Sequence, residues 1–425
     1  MNKWKWLYPG IGVKRWILLI AAGVILISIG ISFLTGFHLV SFLERQLVIL
    51  VVSVTGDFPL PLQLLVAFVF IVLGVASINI SLKRALRGLN KTESSSVEFV
   101  DRLYQERVLQ QGPRIAALGG GTGLSNLLRG IKEYTSNITA VVTVSDDGGS
   151  SGKLRDELDM LPPGDIRNCL VALADAEPLM KELFQYRFRS DGDLVGHSFG
   201  NLFIASLTKV MGDFEKAVRE SSRVLAIRGE VLPSTPEKVQ LGAVYTDGSQ
   251  RIGESDIPGQ EKEIERVFLE PGKCKPLPEA LEALKESELI LIGPGSLYTS
   301  IIPNFLIDGI VEAIQESQAL KIYVCNVMTQ HGETDNYTVS DHLQAIEHHT
   351  GENLFDYVIV NNESGSEELA REYEKEGAYP VEIDREELAD YNINVVEGSL
   401  LTDEGFIRHD PYKLAAVIMS ILESR

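Results

Sequence analysis

The sequence predicts an α/β protein with a doubly wound, mostly parallel sheet, a small antiparallel insertion and two preceding transmembrane helices. Two long uncharged runs lie within the first 90 residues, at 16–43 and 58–82. Beyond residue 113, Val- and Ile-rich runs alternate with helical patterns. These runs lack polar alternation, as is typical of strands buried on both faces of a parallel sheet. Glycine-rich junctions follow several of them, which favours a ligand site at the strand ends.

The N-terminal segment, residues 1–90, is predicted to be a membrane hairpin. At a rise of about 1.5 Å per residue, each uncharged run can cross a hydrocarbon core of about 30 Å, with spans near 16–37 and 60–82. Basic residues precede the first span and follow the second, whereas the loop between them holds only Arg45 as a basic residue. By the positive-inside rule both termini and the main domain face the cytoplasm, as in a multi-pass cell-membrane protein. The first run is too long for a typical signal-peptide core.

Charge is distributed unevenly along the chain, whose formal net charge is −20. The first 110 residues hold 11 basic and 6 acidic side chains, and the remainder holds 28 and 53. A strongly acidic body repels polyanions, which argues against nucleic-acid binding as the main function. The three cysteines form no CxxC pair and predict buried thiols rather than a disulfide framework or a zinc site.

The body is predicted to begin at 113, after a linker at 91–112, and to extend to 425. Its strand-like runs are 114–118, 138–144, 289–292, 322–327 and 357–360. Between about 224 and 270 the pattern changes to short pieces broken by Gly, Pro and Asp, which predicts the antiparallel insertion.

The strongest local motif is the run of Gly119, Gly120, Gly121, Thr122 and Gly123, which follows the first of these strands directly. Leu124 then opens a helical pattern. Glycines at such a junction let backbone N–H groups and the helix N-terminus approach a phosphate. The run is neither a GxGxxG fingerprint, because Leu124 stands in the third position, nor a P-loop. A tight strand-to-helix turn without a ligand is the alternative.

Two carboxylates, Asp146 and Asp147, follow the next strand. They are candidates for contact with a ribose, for holding Mg²⁺ beside a phosphorylated ligand, or for capping the following helix. Arg167, in the segment Leu161–Asn168, is a candidate phosphate contact. Asp165 in that segment is placed either as a helix N-cap or as a group that takes part in chemistry.

The segment Gly196–Gly200 matches the GxSxG nucleophile elbow, but no buried strand precedes it, which argues against a hydrolase. It is better interpreted as a second glycine-bearing helix start, with His197 and Asn201 as candidate ligand contacts. A third junction contains Gly293, Gly295 and Ser296.

Two further strand ends carry polar side chains, among them Asn326 and Thr329. Ligands of open parallel sheets bind outside the carboxyl ends of the strands, and these clusters all lie there. The histidines His342, His348 and His349 share one predicted helix and are expected to lie on its surface.

Taken together, several motifs resemble the bacterial YvcK family of gluconeogenesis factors, a branch of the CofD-like superfamily. They are ALGGGTGLSNLLRGIK, VVTVSDDGGSSGKLR, LPPGDIRNCLVALAD, GHSFGNLF, GPGSLYTS and YVCNVMTQHGETDNYTVSDH. The resemblance extends from about residue 114 to the C-terminus. The membrane hairpin is a departure from the shorter cytosolic members.

The resemblance implies a Rossmann-like domain that binds a nucleotide-linked ligand. In the bacterial branch this is a UDP-sugar, especially UDP-N-acetylglucosamine, linked to cell shape and wall synthesis. The archaeal relative, 2-phospho-L-lactate transferase, moves a phospholactyl group from a nucleotide donor. Three functions follow as expectations: a membrane-tethered UDP-sugar sensor, a transferase that uses Mg²⁺, and an NAD(P)-binding enzyme. Cell-wall synthesis proteins and a second copy of the chain are the expected protein partners, and GDP is an alternative nucleotide.

The resemblance also implies a set of roles for residues of this chain. The glycine run would contact phosphate, and Asp146 and Asp147 would contact ribose, metal or acceptor. If the protein is an enzyme, Asp146 and Asp147 would also be its catalytic residues. The side chains implied to line the pocket are Asn168, His197 and Asn201, with Gly293, Gly295 and Ser296 beside the diphosphate.

Overall fold

The computed structural model describes residues 107–425, except 176–177, 190–191, 193, 261 and 403–404, and nine isolated positions before residue 107. The chain divides into two compact units, Met1–Val108 and Leu109–Arg425. The predicted membrane hairpin lies outside the described residues, apart from those isolated positions, as does most of the linker. Within the described part no single helix is long and apolar enough to cross a membrane. One bent pair, Leu297–Phe305 with Ile310–Glu316, passes that test by length and composition, and many of its residues are buried in the core of the body.

The body is built on a seven-stranded parallel sheet. Its strands, numbered along the chain together with those of the insertion, are β1 (Ile115–Gly119), β2 (Ile138–Val142), β3 (Glu230–Pro233), β7 (Leu289–Ile292), β8 (Leu320–Val324), β9 (Tyr357–Asn361) and β10 (Asn394–Gly398). The insertion contributes β4 (Gln240–Tyr245), β5 (Gln250–Ile252) and β6 (Ile264–Glu270), which pair antiparallel in the order β5-β4-β6. The predicted α/β class, with a mostly parallel sheet and a small antiparallel one, is confirmed.

The segments that connect these strands carry apolar residues at helical spacing and form helices. In chain order they are α1 (Gly121–Ile131), α2 (Gly149–Leu158), α3 (Gly164–Leu173), α4 (Pro178–Gln185), α5 (Phe199–Met211), α6 (Phe214–Leu225), α7 (Pro278–Glu286), α8 (Ile302–Phe305), α9 (Ile310–Glu316), α10 (Val339–Thr350), α11 (Glu367–Lys375), α12 (Arg385–Leu388) and α13 (Pro411–Glu423). A π-helical turn, Leu297–Ile301, precedes α8, and two 3-10 turns, Glu254–Asp256 and Pro258–Gln260, follow β5.

Side chains of each central strand alternate between two hydrophobic cores, because successive residues of a strand point to opposite faces. In β1, Ile115 and Ala117 belong to the core formed with α1, α3 and α13. Ala116 and Leu118 belong to the core formed with α7 to α10 and the antiparallel sheet. Helices therefore cover both faces of the parallel sheet, which explains the absence of polar alternation in its strands.

The boundaries differ from the sequence expectation at two places. The body begins at Leu109 rather than at 113, because Leu109 is buried and its carbonyl accepts hydrogen bonds from the backbone N–H groups of Gly112 and Ser136. The antiparallel insertion begins only at Gln240, because β3 pairs parallel with β2 and forms the edge of the main sheet.

The order of the main sheet is β10-β9-β8-β7-β1-β2-β3. Counting only the parallel strands, this is 3-2-1-4-5-6-7 read from the β3 edge, and it contains the order 3-2-1-4-5-6 of dinucleotide-binding sheets. The direction in which successive strands are added to the sheet reverses between the neighbouring strands β1 and β7. Loops after these two neighbouring strands diverge to opposite faces, and the crevice between them is where such sheets bind ligands.

Candidate functional site

The two glycine turns that follow β1 and β7 meet at this crevice. Gly121 has a φ of +64°, a conformation that favours glycine. A Cβ on Gly123 would overlap the backbone carbonyl oxygen of Pro294, and one on Gly295 would lie 3.4 Å from the carbonyl oxygen of Gly120. The absence of side chains therefore lets the start of α1 lie directly against the β7 turn.

The N-terminus of α1 is open to a ligand. Its N-cap residue is Gly120, which has no side chain to satisfy the first N–H groups of the helix. Thr122 is exposed, and Gly121 and Gly123 are partly exposed. Leu124, in contrast, is fully buried in the core, so only its backbone can take part in binding. The first N–H groups of the helix receive no side-chain cap from Gly120, and with the positive end of the helix dipole they form an anion-binding surface.

Asp165 lies beside this surface. A Cβ on Gly120 would be 2.7 Å from its Oδ2 atom, and its carboxylate lies within hydrogen-bonding reach of the Gly121 N–H. Burial, followed by the neighbouring charge of Asp146, raises the pKa of Asp165 to about 6. The N-cap role, one of the two alternatives from the sequence, is wrong: α3 begins at Gly164, its N-cap is Pro163, and Asp165 stands inside the first turn with its side chain turned to the glycine run.

The two carboxylates after β2 have different roles. Asp146 accepts one hydrogen bond, at Oδ1 from the Gly148 N–H (2.9 Å), and its Oδ2 atom receives none from the described residues. Asp147 accepts from the N–H groups of Glu254 (2.8 Å) and Ser255 (2.9 Å) and from the Ser255 hydroxyl. Asp146 is therefore available to a ligand, whereas Asp147 is engaged by the insertion.

Glu254 brings a further carboxyl group to this region. Burial, together with the smaller effects of the charges of Asp146, Asp147, Glu333 and Asp165, raises the pKa of Glu254 to about 8. Burial likewise raises the pKa of Glu333 to about 7, and one of its oxygens is buried without a hydrogen-bond partner. Neither residue was expected from the sequence, because Glu254 and Glu333 lie far from the β2 carboxylates along the chain.

Arg167 lies at the centre of a buried hydrogen-bond network. Its guanidinium donates to the side-chain oxygens of Ser198 (2.5 Å), Asn201 (3.0 Å) and Asn168 (2.7 Å). Burial lowers the pKa of Arg167 to about 10. Both terminal nitrogens of Arg167 donate within this network, while its buried Nε has no partner among the described residues. Arg167 is therefore placed as a connector between α3 and the start of α5 rather than as a free phosphate contact.

His197 and Asn201 belong to the same network. The Ser150 hydroxyl lies 3.0 Å from His197 Nδ1 and accepts from Asn201 Nδ2 at 3.0 Å. Ser198 is fully buried and is the N-cap of α5, where its Oγ accepts from the Asn201 N–H. This local structure agrees with a helix start rather than a nucleophile elbow, whose serine must be exposed.

The turn after β7 is held by Asn326, which follows β8. Its amide accepts from the Gly295 N–H at 3.1 Å and donates to the Gly295 carbonyl at 2.8 Å. Ser296 is partly exposed beside it. Thr329 instead bonds to the backbone N–H of Tyr379, so its hydroxyl serves a neighbouring loop.

The histidines of α10 are not all on its surface, contrary to expectation. His342 is fully buried and bonds to the Thr338 carbonyl, and His349 Nε2 accepts from the Val267 N–H. The three cysteines, Cys169, Cys274 and Cys325, are free and buried, as the sequence predicts.

A metal site built from protein side chains alone is not present in the described part of the chain. No three His, Cys, Asp or Glu side chains there are grouped closely enough to hold an ion. A divalent cation at Asp146 would therefore need phosphate oxygens of a ligand and water for most of its coordination. Mg²⁺ is commonly bound in that way, so the open oxygen of Asp146 beside an anion-binding loop fits it.

Comparison with known proteins identifies the family. The model of the family described as 2-phospho-L-lactate transferase CofD matches residues 115–401. A gluconeogenesis factor of Bacillus subtilis (strain 168) is 50% identical over 314 residues, covering 74% of this chain and 99% of that protein. A Nostoc sp. protein, provisionally named a gluconeogenesis factor, is 46% identical over 427 residues, covering 99% of this chain and 92% of that protein. A crystal structure of a Bacillus halodurans protein is similar with a TM-score of 0.71 and 48% identity, covering 73% of this chain and all of that one. The expected resemblance is confirmed, and the chain belongs to the CofD family, in its gluconeogenesis-factor (YvcK) branch.

Proposed function

We propose that this chain is a nucleotide-sugar-binding protein, with UDP-N-acetylglucosamine as its type of ligand, that adjusts cell shape and wall synthesis to carbon metabolism. The observation that supports this most directly is the open N-terminus of α1 packed against the β7 turn at the crossover of the sheet. Backbone N–H groups at such a position suit a diphosphate. We describe the fold as Rossmann-like because the strand order and the glycine turn at the crossover are both typical of dinucleotide-binding sheets.

Different residues of the site would contact different parts of the ligand. The glycine run would bind the diphosphate with Gly293, Gly295 and Ser296, and Asp146 would accept hydrogen bonds from ribose hydroxyls or hold Mg²⁺. Asn168 is partly exposed at the edge of the Arg167 network and would line the pocket with His197 and Asn201. Mg²⁺, when bound, would screen the phosphate charges from the nearby carboxylates.

The N-terminal hairpin would anchor the body at the cytoplasmic face of the cell membrane. Two long uncharged runs and the distribution of basic residues support this proposal. Proteins of cell-wall synthesis would be the partners at that surface, and a second copy of the chain would complete the assembly. A protein that senses the supply of UDP-sugar precursors would then lie where lipid-linked wall precursors are made.

A transferase of the 2-phospho-L-lactate type is the second candidate, and the family model named for that enzyme favours it. In that case a nucleotide donor such as a GDP-linked compound would bind at the glycine run, and Asp146 would orient the attacking hydroxyl or hold Mg²⁺. Asp147 is a weaker choice for this role because its oxygens are engaged by the insertion. NAD(P) binding is the third, supported only by the strand order.

Turnover separates the first proposal from the second. The full chain is incubated for hours with UDP-N-acetylglucosamine or a GDP-linked phospholactyl donor, with Mg²⁺ and a deazaflavin acceptor, and the products are analysed by chromatography. A sensor leaves the UDP-sugar unchanged while binding it. Formation of a transferred product would make the enzyme the better description.

A further inference from the structure

The insertion sends a short segment across the strand ends of the main sheet. We name residues 253–258 the strap. At one side the Asp147 carboxylate accepts two backbone N–H groups and one hydroxyl from Glu254 and Ser255. Hydrogen bonds to a charged acceptor are stronger than neutral ones, so this attachment is firm.

The other side of the strap is held against the loop that follows β8. A Cβ on Gly332 would overlap the carbonyl group of Pro258, so the two backbones are in direct contact there. Ile257 is fully buried in the core, and its carbonyl accepts from the Tyr245 hydroxyl at 3.1 Å. Fixed at both sides, the strap connects the end of β2 with the loop after β8.

Glu254 belongs to the first of these attachments, because its backbone N–H donates to Asp147. Its side chain is half-buried, and no described residue donates a hydrogen bond to its carboxyl group. The charged groups that act on it are Asp146 and Asp147 after β2, Asp165 on α3 and Glu333 after β8, all of them acidic. Glu333 is 6% exposed; its Oε1 accepts from the Thr299 hydroxyl at 3.3 Å, and its buried Oε2 has no partner among the described residues.

This environment selects the chemistry of a ligand. Carboxyl groups disfavour a second anion, so a phosphate belongs at the glycine run rather than near Glu254. Hydroxyl groups, by contrast, can donate to a carboxylate and can accept from a protonated carboxyl. The strap is therefore suited to the hydroxyl-bearing, uncharged part of a phosphorylated ligand.

We infer that Glu254 is a specificity residue that contacts the sugar hydroxyls of the nucleotide sugar, and that Asp147 is the positioning residue that holds it there through the strap. This inference rests on the proposed function. It also replaces the expected direct contact of Asp147 with the ligand by an indirect role.

The test compares UDP-N-acetylglucosamine with UDP, which lacks the sugar. Calorimetric titration uses the full chain in detergent as wild type, Glu254→Ala, Glu254→Gln, Asp147→Asn and the control Glu265→Ala, which changes an exposed carboxylate of β6. We expect Glu254→Ala and Asp147→Asn to weaken the UDP-sugar about tenfold, comparable to one lost hydrogen bond, with UDP binding unchanged. Glu254→Gln and Glu265→Ala should stay within about twofold of wild type, because an amide can replace a carboxyl group as hydrogen-bond partner.

Hydrogen exchange of residues 253–258 separates the two roles. Asp147→Asn should accelerate exchange in the strap, whereas Glu254→Ala should leave it unchanged. Equal losses for UDP and the UDP-sugar, or wild-type affinity in Glu254→Ala, would overturn the inference while the proposed function stands. A loss seen only with Mg²⁺ would also overturn it, in favour of a metal ligand. If wild type binds neither compound, the proposed function fails and this inference fails with it.

Discussion

Gly123 is the residue on which the geometry of the site depends most directly. In a helix, replacing Gly by Ala ordinarily increases stability by about 0.5–1 kcal/mol. Here a Cβ would overlap the Pro294 carbonyl, and both groups belong to backbone. We expect Gly123→Ala to lower the free energy of unfolding by about 1–3 kcal/mol and to weaken nucleotide binding at least tenfold. Gly259→Ala, with open space around its Cβ, is the control; equal thermal stability of the two variants would contradict the packing described.

His409 is a second residue with a measurable consequence, in the stability of the body. It is buried, its Nε2 has no partner, and burial lowers the pKa of His409 from 6.5 to about 4. The folded chain therefore keeps it neutral while the unfolded chain takes up a proton, so stability present above pH 6.5 is lost as the pH falls towards 4. The loss is about 3 kcal/mol over that range.

Denaturant unfolding of residues 109–425 at pH 7 and pH 4.5 tests this contribution. Comparison with His409→Phe isolates it from the carboxylates that titrate in the same range. The variant should lose about 2–3 kcal/mol less than wild type between the two pH values. Parallel losses in both proteins would show that the histidine does not contribute.

At the scale of elements, Arg167 joins the N-terminal ends of α3 and α5 to that of α2 by way of Asn201 and Ser150. Arg167→Ala leaves buried polar groups of Ser198 and Asn201 unpaired. We expect a loss of about 2–4 kcal/mol in the free energy of unfolding and weaker ligand binding. Arg223→Ala removes an exposed ion pair with Glu220 and should change stability by less than about 1 kcal/mol. A similar effect of both substitutions would contradict the role of the network.

The elements also show what the sequence could predict. The strands β1, β2, β7, β8 and β9 were anticipated within a few residues, because central parallel strands are continuous apolar runs. The edge strands are not predicted: β10 has no buried residue, and β3 is short and precedes the insertion along the chain. Edge strands carry a weaker apolar signal since one side of their backbone has no neighbour.

The candidate site, like the fold, is predictable from the sequence only in part. Its glycine turns and the open carboxylate Asp146 follow directly from strand ends, and the structure places them together. The sequence leaves Asp165 open between helix capping and chemistry, and it does not indicate Glu254, because tertiary packing brings both residues to the site. The partners of Asp147 lie more than 100 residues away along the chain, so no local pattern could reveal that it is fastened to the insertion.

At the scale of the whole molecule, relatives differ in how much of the chain they match. The Nostoc relative aligns with 99% of the chain, whereas nearly all of the Bacillus subtilis relative aligns with 74% of it. We therefore expect residues 109–425 to fold alone and to bind nucleotide with the affinity of the full chain. Only the full chain should remain with membranes after an alkaline wash, as measured by sedimentation and immunoblotting. Equal release of both forms would contradict the proposed anchor.

Calorimetric titration is the direct test of whether the glycine run binds a nucleotide sugar selectively. Residues 109–425 are titrated with UDP-N-acetylglucosamine, UDP, GDP and NAD, each with and without Mg²⁺, in wild type and in Asp146→Asn. We expect the UDP-sugar to bind most tightly, at one site per chain, and its affinity to be at least fivefold weaker in the variant, comparable to a lost hydrogen bond of about 1 kcal/mol. Preference for GDP or NAD, or equal affinity of the two proteins for the UDP-sugar, would contradict this expectation.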